Sequence, residues 1–207
     1  PLTDPTAPGD DIVLPDLVAA AVVSTSPLDG DEVWLTTSSF TRPATLWRLD
    51  LAEGLVPRMV RRSPALFDAA GLQTRQHWVT SADGTRLPYF ITGDFSRGSR
   101  PTLVGGYGGF EVSLTPGYSA VRGIGWLEQG NFFVQPNLRG GGEFGPDWHT
   151  QVTRTNRHKV WEDHHAVLLD LVERGYARPE QIGIRGGSNG GLLTSGALVQ
   201  YPSAFGA

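Results

Sequence analysis

Apolar and polar positions alternate with a period of two in the first third of the chain. Glu32-Val33-Trp34-Leu35-Thr36-Thr37 and Ala44-Thr45-Leu46-Trp47-Arg48-Leu49 each read as a short strand, separated by Ser, Thr, Arg and Pro turn residues. Successive side chains of a strand point to opposite faces, so this spacing predicts antiparallel β structure. The pattern loosens over residues 62–72, and a domain boundary is expected there, giving units 1–62 and 63–207. Beyond it, residues 76–80 and 87–91 read as strands joined by the turn signal Ala82-Asp83-Gly84. Thr102-Leu103-Val104 and Phe132-Phe133-Val134 have the look of short buried strands. Residues 157–174 place apolar side chains at Val160, Ala166, Val167, Leu169 and Leu171 and stop at Gly175, which predicts a helix. Strands alternating with helices predict a mostly parallel sheet and the α/β class.

The last predicted strand, Gln181-Ile182-Gly183-Ile184-Arg185, runs into Gly186-Gly187-Ser188-Asn189-Gly190-Gly191 and then into the helical run from Leu192. Within it, Gly186-x-Ser188-x-Gly190 fits the nucleophile elbow of α/β-hydrolases. A serine held in a strained turn between strand and helix leaves no room for side chains two positions before and after it. The helix that starts there directs free N–H groups and a positive dipole end at a developing oxyanion. The competing reading is a glycine-rich surface turn.

Composition narrows the alternatives. With 39% hydrophobic and 18% charged residues the chain can bury an ordinary globular core. Seventeen basic and twenty-one acidic residues give a formal charge of -4, with no basic stripe for a nucleic acid and no 18-residue apolar run for a membrane span. Cysteine is absent, which excludes disulfides, thiolate metal sites and a cysteine nucleophile but leaves the compartment open. The first residues lack the pattern of a signal peptide. The expected location is the cytoplasm, with the periplasm or secretion not excluded.

A hydrolase triad of this type runs Ser, then Asp or Glu, then His. All five histidines (His77, His149, His158, His164, His165) precede Ser188, and the nineteen residues after it hold neither an acid nor a histidine. The nucleophile is therefore expected in a truncated chain, separated from its base.

Three separated stretches resemble the prolyl oligopeptidase family in order and spacing: Tyr107-Gly108-Gly109-Phe110; the run from Asn137 through Arg139-Gly140-Gly141-Gly142-Glu143 to Gly145, with Trp148-His149 behind it; and the hexapeptide at 186–191. The resemblance covers residues from about 30 onward, and the asparagine after the serine resembles the branch that cleaves after proline. It implies a β-propeller joined to an α/β-hydrolase domain, with residues 1–62 as the last propeller strands. Residues 63–207 would then be the first half of the hydrolase sheet, up to the nucleophile. It also implies that Ser188 forms the acyl-enzyme, that the Asn189 N–H and the Tyr107 hydroxyl are the oxyanion donors, and that Phe110 walls a proline pocket, with the Asn189 side chain also reaching substrate. Substrates would be short peptides, no metal or organic cofactor would be needed, and the missing half of the domain would supply the Asp and His. Arg139 and Glu143 are expected to pair and hold their loop.

Other readings are weaker. Gly140-x-Gly142-x-x-Gly145, with Glu162 and Asp163 downstream, spells a dinucleotide fingerprint, but Pro146 falls where its helix would have to continue. His158, Glu162 and His165 share one helix face at i, i+4 and i+7, a spacing that fits a solvated charged face better than a metal site. A catalytically inert piece, or a parent that is a related dipeptidyl or acylaminoacyl peptidase or an esterase, completes the alternatives.

Overall fold

The computed structural model describes residues 11–207 apart from 16, 26, 27 and 29. The chain divides into two compact units: one ends at Ala65 and takes in Pro116–Ser119, and the other comprises Leu66–Thr115 and Ala120–Ala207.

The first unit is a four-stranded antiparallel meander, β1 (Ala19–Thr25), β2 (Glu32–Ser38), β3 (Thr45–Asp50) and β4 (Arg58–Arg62), paired in chain order. Leu35 and Thr37 of β2 and Thr45 and Leu49 of β3 turn to one buried face. Trp47 Nε1 donates to Thr37 Oγ1 at 2.8 Å across the two strands. β1 and β4 are exposed along nearly their whole length, so neither carries an alternating pattern in its sequence.

The second unit is built on a five-stranded sheet of β5 (Gln73–Thr80), β6 (Arg86–Gly93), β7 (Thr102–Gly105), β8 (Phe132–Pro136) and β9 (Ile182–Arg185), in the order β5-β6-β8-β7-β9. It is mixed rather than mostly parallel: β5–β6 and β6–β8 are antiparallel, β8–β7 and β7–β9 parallel. For β5–β6 the cause is local, because the tight turn closed by Ser81 N–H to the Thr85 carbonyl (2.8 Å) folds β5 back on β6 and permits no crossover.

Between β7 and β8 the chain forms α1 (Ala120–Arg122), continuing as a π-helical turn over Gly123–Leu127. α2 (Pro146–Thr150) and α3 (His158–Glu173) lie between β8 and β9, and α4 (Asn189–Gln200) follows β9. α3 is helical because Val160, Val167, Leu168 and Leu171 fall on one stripe, and it stops where Gly175 takes φ 72°. The sequence pattern favours Leu169 as core, yet Leu169 is 54% exposed and Leu168, one step of about 100° away, is buried instead. The α3 stripe packs with Leu193 and Ala197 of α4 against Leu87, Tyr89, Ile91, Val104, Phe132, Val134 and Ile182 of the sheet. Each fully buried Val, Leu, Ile or Phe among them contributes about 1.5–3 kcal/mol by leaving water.

From β7 the chain first steps to β8 on one side and later returns to β9 on the other. Such a reversal opens a crevice at the carboxyl ends of the strands, where open α/β sheets place their ligands. Beyond β9, Gly206 N–H donates to the Ile182 carbonyl at 2.9 Å and the Ala207 carbonyl accepts from Ile184 N–H at 2.8 Å, a further parallel pairing. No helix among the described residues is long and apolar enough to cross a membrane.

One core residue makes the fold sensitive to acid. His164 on α3 is 1% exposed, and neither ring nitrogen has a hydrogen-bond partner among the described residues. Burial, with His165 adding to it, lowers its pKa to about 4 from an ordinary 6.5. The unfolded chain thus takes up a proton near pH 6.5 that the folded chain refuses until about pH 4. Stability from this group is complete above pH 6.5 and falls by about 3 kcal/mol as the pH drops to 4. Urea midpoints at pH 7 and 4.5 check this: His164→Leu is expected to lose less stability over the interval than the natural chain. An equal loss in both would show that His164 does not titrate this way.

Candidate active site

The two loops at the crevice start from paired neighbours. β7 and β9 are in register from Thr102–Ile182 to Gly105–Arg185, and Gly106 N–H then donates to the Arg185 carbonyl at 3.0 Å. Tyr107 and Gly186 are therefore the first residues to diverge, and both loops open at the same edge of the sheet.

In the second loop, Ser188 has φ 54° and ψ -119°, a conformation that costs a residue with a side chain about 1–3 kcal/mol. The surrounding chain enforces it. A Cβ at Gly186 would overlap the Gly190 carbonyl, and one at Gly190 would stand 2.5 Å from the carbonyl oxygen of Gly106. Glycine is thus required at both positions by direct backbone contact. Ser188 is exposed and immediately precedes the twelve-residue α4. The Asn189 N–H, in the first turn of α4, has no carbonyl one turn behind it and lies at the positive end of the helix.

In the first loop, Tyr107 is half-buried, whereas Phe110 is 72% exposed with φ 54°. The loop is braced by Glu111 N–H donating to the Gly140 carbonyl at 3.0 Å. Tyr107, Gly186 and Gly187 line one cavity of about 230 Å³ together with Leu114, Arg122 and Phe133. The Arg122 guanidinium lies 3.9 Å from the Phe133 ring centroid, and burial, with Arg185 nearby, lowers its pKa. The structure therefore brings Ser188, Asn189 and Tyr107 to one edge and leaves Phe110 uncovered beside them. The Asn189 side chain faces the Tyr107 loop: Nδ2 donates to the Tyr107 carbonyl at 2.6 Å and Oδ1 accepts from Arg157 at 3.2 Å.

Arg139 and Glu143 do not pair as the sequence reading expects. Arg139, 1% exposed, binds Asp163 through Nε (2.9 Å) and Nη2 (2.6 Å), and Asp83 through Nη1 (2.6 Å). Glu143 Oε1 accepts from Leu114 N–H at 2.9 Å and from Asn137 Nδ2 at 3.1 Å. A buried guanidinium needs carboxylates that can reach it, and those come from α3 and the β5–β6 turn, far away in sequence. The Gly140-x-Gly142-x-x-Gly145 stretch opens only the five-residue α2, with Pro146 in its first turn, so no long helix follows it as a dinucleotide site requires. On the α3 face considered for a metal, His165 stacks on Tyr201 at 3.9 Å between centroids. That pair borders a larger hollow of about 460 Å³ between β5 and α3, which contains none of the expected site residues.

Residues 119–207 match the model of the prolyl oligopeptidase family. The chain belongs to the prolyl oligopeptidase family. It is 40% identical over 199 residues to an uncharacterized peptidase, y4nA, of Sinorhizobium fredii, covering 95% of this chain and 27% of that protein. It is 32% identical to the prolyl endopeptidase of Elizabethkingia miricola, covering 83% of this chain and 24% of the relative. Among solved structures, a prolyl endopeptidase studied for inter-domain dynamics superposes with a TM-score of 0.86 at 32% identity, over 96% of this chain and 29% of that one. A post-proline cleaving enzyme from Rickettsia typhi superposes with 0.80 at 33% identity, over 91% and 27%. The chain spans about a quarter of the length of these relatives. Its structural neighbours are prolyl oligopeptidases with an α/β-hydrolase domain, and the sheet of the second unit is mixed.

Sequence reasoning missed Arg157 and the role of Asp163. Arg157 carried no signal, since its partners lie 32 and 49 positions away. Asp163 had one hint: an acid among the buried positions of a helix must have a cationic partner.

Proposed function

We propose that the full-length protein is a serine peptidase that cleaves short peptides, preferentially after proline, through an acyl-enzyme on Ser188. The observation that carries this reading is Ser188 itself: exposed, at positive φ, at the head of α4, with Tyr107 lining the adjoining cavity. The Ser188 oxygen attacks the scissile carbonyl. The Asn189 N–H and the Tyr107 hydroxyl stabilise the oxyanion; the peptide C–N bond then breaks, the amine leaves with the serine proton delivered by the base, and water hydrolyses the resulting ester. Phe110 offers an uncovered aromatic wall to a compact pyrrolidine ring. Prolyl endopeptidases among the relatives support the choice of proline.

Among the described residues no histidine hydrogen-bonds to the Ser188 hydroxyl. Base and acid are assigned to sequence beyond Ala207, so the 207-residue chain alone is expected to be inert. In the same reading the antiparallel meander of the first unit is the last blade of a propeller, whose blades are four-stranded.

The test is hydrolysis of fluorogenic peptides ending in Gly-Pro, Gly-Arg or an acylated amino acid. Preference for Gly-Pro supports the reading; preference for either of the others points to a related peptidase specificity. In the same assay Tyr107→Phe is expected to lower kcat by about 10²–10³-fold with little change in KM, the cost of one oxyanion donor. An unchanged kcat would remove the phenol from the mechanism.

A further inference from the structure

The nucleophile turn and the Tyr107 loop are joined through one short chain of bonds. Asn189, next to Ser188, donates from Nδ2 to the Tyr107 carbonyl at 2.6 Å and accepts at Oδ1 from Arg157 Nη2 at 3.2 Å. The same guanidinium donates through Nη1 to the Gly108 carbonyl. Arg157 thus grips both loops at once, from just before α3. Gly109 keeps the passage open, since any Cβ there would overlap the Asn189 amide.

No carboxylate among the described residues stands within ion-pair distance of Arg157, and burial lowers its pKa with no acid opposing the shift. A half-buried cation facing two neutral carbonyl oxygens is costly as a purely structural device. What a planar fork offers instead is fixed geometry, because its donors hold two acceptors at a set separation.

We propose that Arg157 is a positioning residue for the oxyanion site. By bonding to Gly108 and Asn189 together it fixes the Tyr107 hydroxyl relative to the Asn189 N–H, a role that rests on the acyl-enzyme reading of Ser188. Arg157 does not touch substrate. It acts on the reaction only through the two donors.

The experiment is a double-mutant cycle in the full-length protein, with kcat and KM measured on a fluorogenic Gly-Pro peptide and Ser188 labelling followed with a fluorophosphonate. Arg157→Met is expected to lower kcat by about 10–100-fold, the scale of a small misplacement, while KM stays within about twofold. Arg157→Lys, which keeps the charge but not the fork, is expected to recover part of that loss. In the Tyr107→Phe background Arg157→Met is expected to cost at least about threefold less than in the natural protein, because the donor it positions is already gone. Additive losses, a change confined to KM, or a natural kcat in Arg157→Met would overturn the proposal. Should the methionine variant fail to fold, the same cycle with Arg157→Lys decides, and natural kcat in that variant counts against it. If the natural protein neither cleaves any peptide nor reacts with the probe, the acyl-enzyme reading falls and this one with it. If the natural protein is active and only the Arg157 effects are missing, the positioning role alone is lost.

Discussion

Ser188→Ala in the full-length protein is expected to lower kcat on prolyl peptides by about 10⁶-fold and to abolish fluorophosphonate labelling, with no loss of fold. The size follows from how the parts act. A serine hydroxyl, its base and the orienting acid operate as one unit, so removing the nucleophile costs nearly as much as removing all three. The oxyanion donors and substrate binding alone leave a residual acceleration of about 10³–10⁴ over water. No other residue of the turn can take over, because Gly186, Gly187, Gly190 and Gly191 flank Ser188 and Asn189 without any hydroxyl. Alanine inherits the same φ of 54° and the same backbone contacts, so the turn persists and circular dichroism should be unchanged. Turnover above about 1% of natural, with Ser188 absent, would mean that another group is the nucleophile, and the whole reading of the crevice would have to be abandoned.

The elbow was legible because its requirement is local. Strand, glycine, serine, glycine and helix all fall within twenty residues, and the contacts that forbid side chains at 186 and 190 involve chain a few residues away or directly paired with it. Tyr107 and Phe110 could be named only through the family resemblance, since nothing in YGGF by itself says that β7 runs beside β9. β2, β3 and β5, each more buried on one face, announced themselves by alternation or by their turn, and β6, buried on both faces, by its apolar run and the turn before it. β1 and β4 did not, because exposure on both faces leaves no selection for a period of two. The pairing of Arg139 was misjudged for the opposite reason. Glu143 is four residues away, but its bonds go to Leu114 and Asn137, while the carboxylates that neutralise Arg139 lie 24 and 56 positions off. Local spacing carries information about helices and turns; a buried ion pair is settled by packing between elements.

That ion pair carries the second large effect. Asp163→Ala is expected to destabilise the protein by about 3–5 kcal/mol, because it leaves the buried guanidinium of Arg139 with Asp83 as its one remaining carboxylate among the described residues, rather than merely deleting a contact. Arg139 is 1% exposed and Asp163 0%, so water cannot replace the lost oxygens. Asp163 accepts from Arg139 Nε, Nη2 and backbone N–H, tying α3 to the loop after β8; Arg139 Nη1 continues to Asp83 and Thr85 in the β5–β6 turn. Burial works against the Arg139 charge, but its bonds to Asp163 and Asp83 outweigh that and raise its pKa. The bond from Arg139 in turn holds the Asp83 carboxyl well below the usual carboxylate range. That contribution is complete above the ordinary carboxylate pKa and fades only as the pH falls below it, so the network is intact at neutral pH. Gly140, the next residue along the loop, accepts the Glu111 N–H that braces the Tyr107 loop, so the loss should also reach the crevice. Urea unfolding of Asp163→Ala and of the double variant Arg139→Met/Asp163→Leu distinguishes the causes. If the buried charge is what costs, the double variant recovers much of the lost stability, since it removes the buried cation together with its carboxylate, while the backbone N–H at 139 loses its partner and Asp83 keeps Lys159 at 3.4 Å. If it is as unstable as the single variant, the lost packing and hydrogen bonds between elements dominate, and the charge itself matters little.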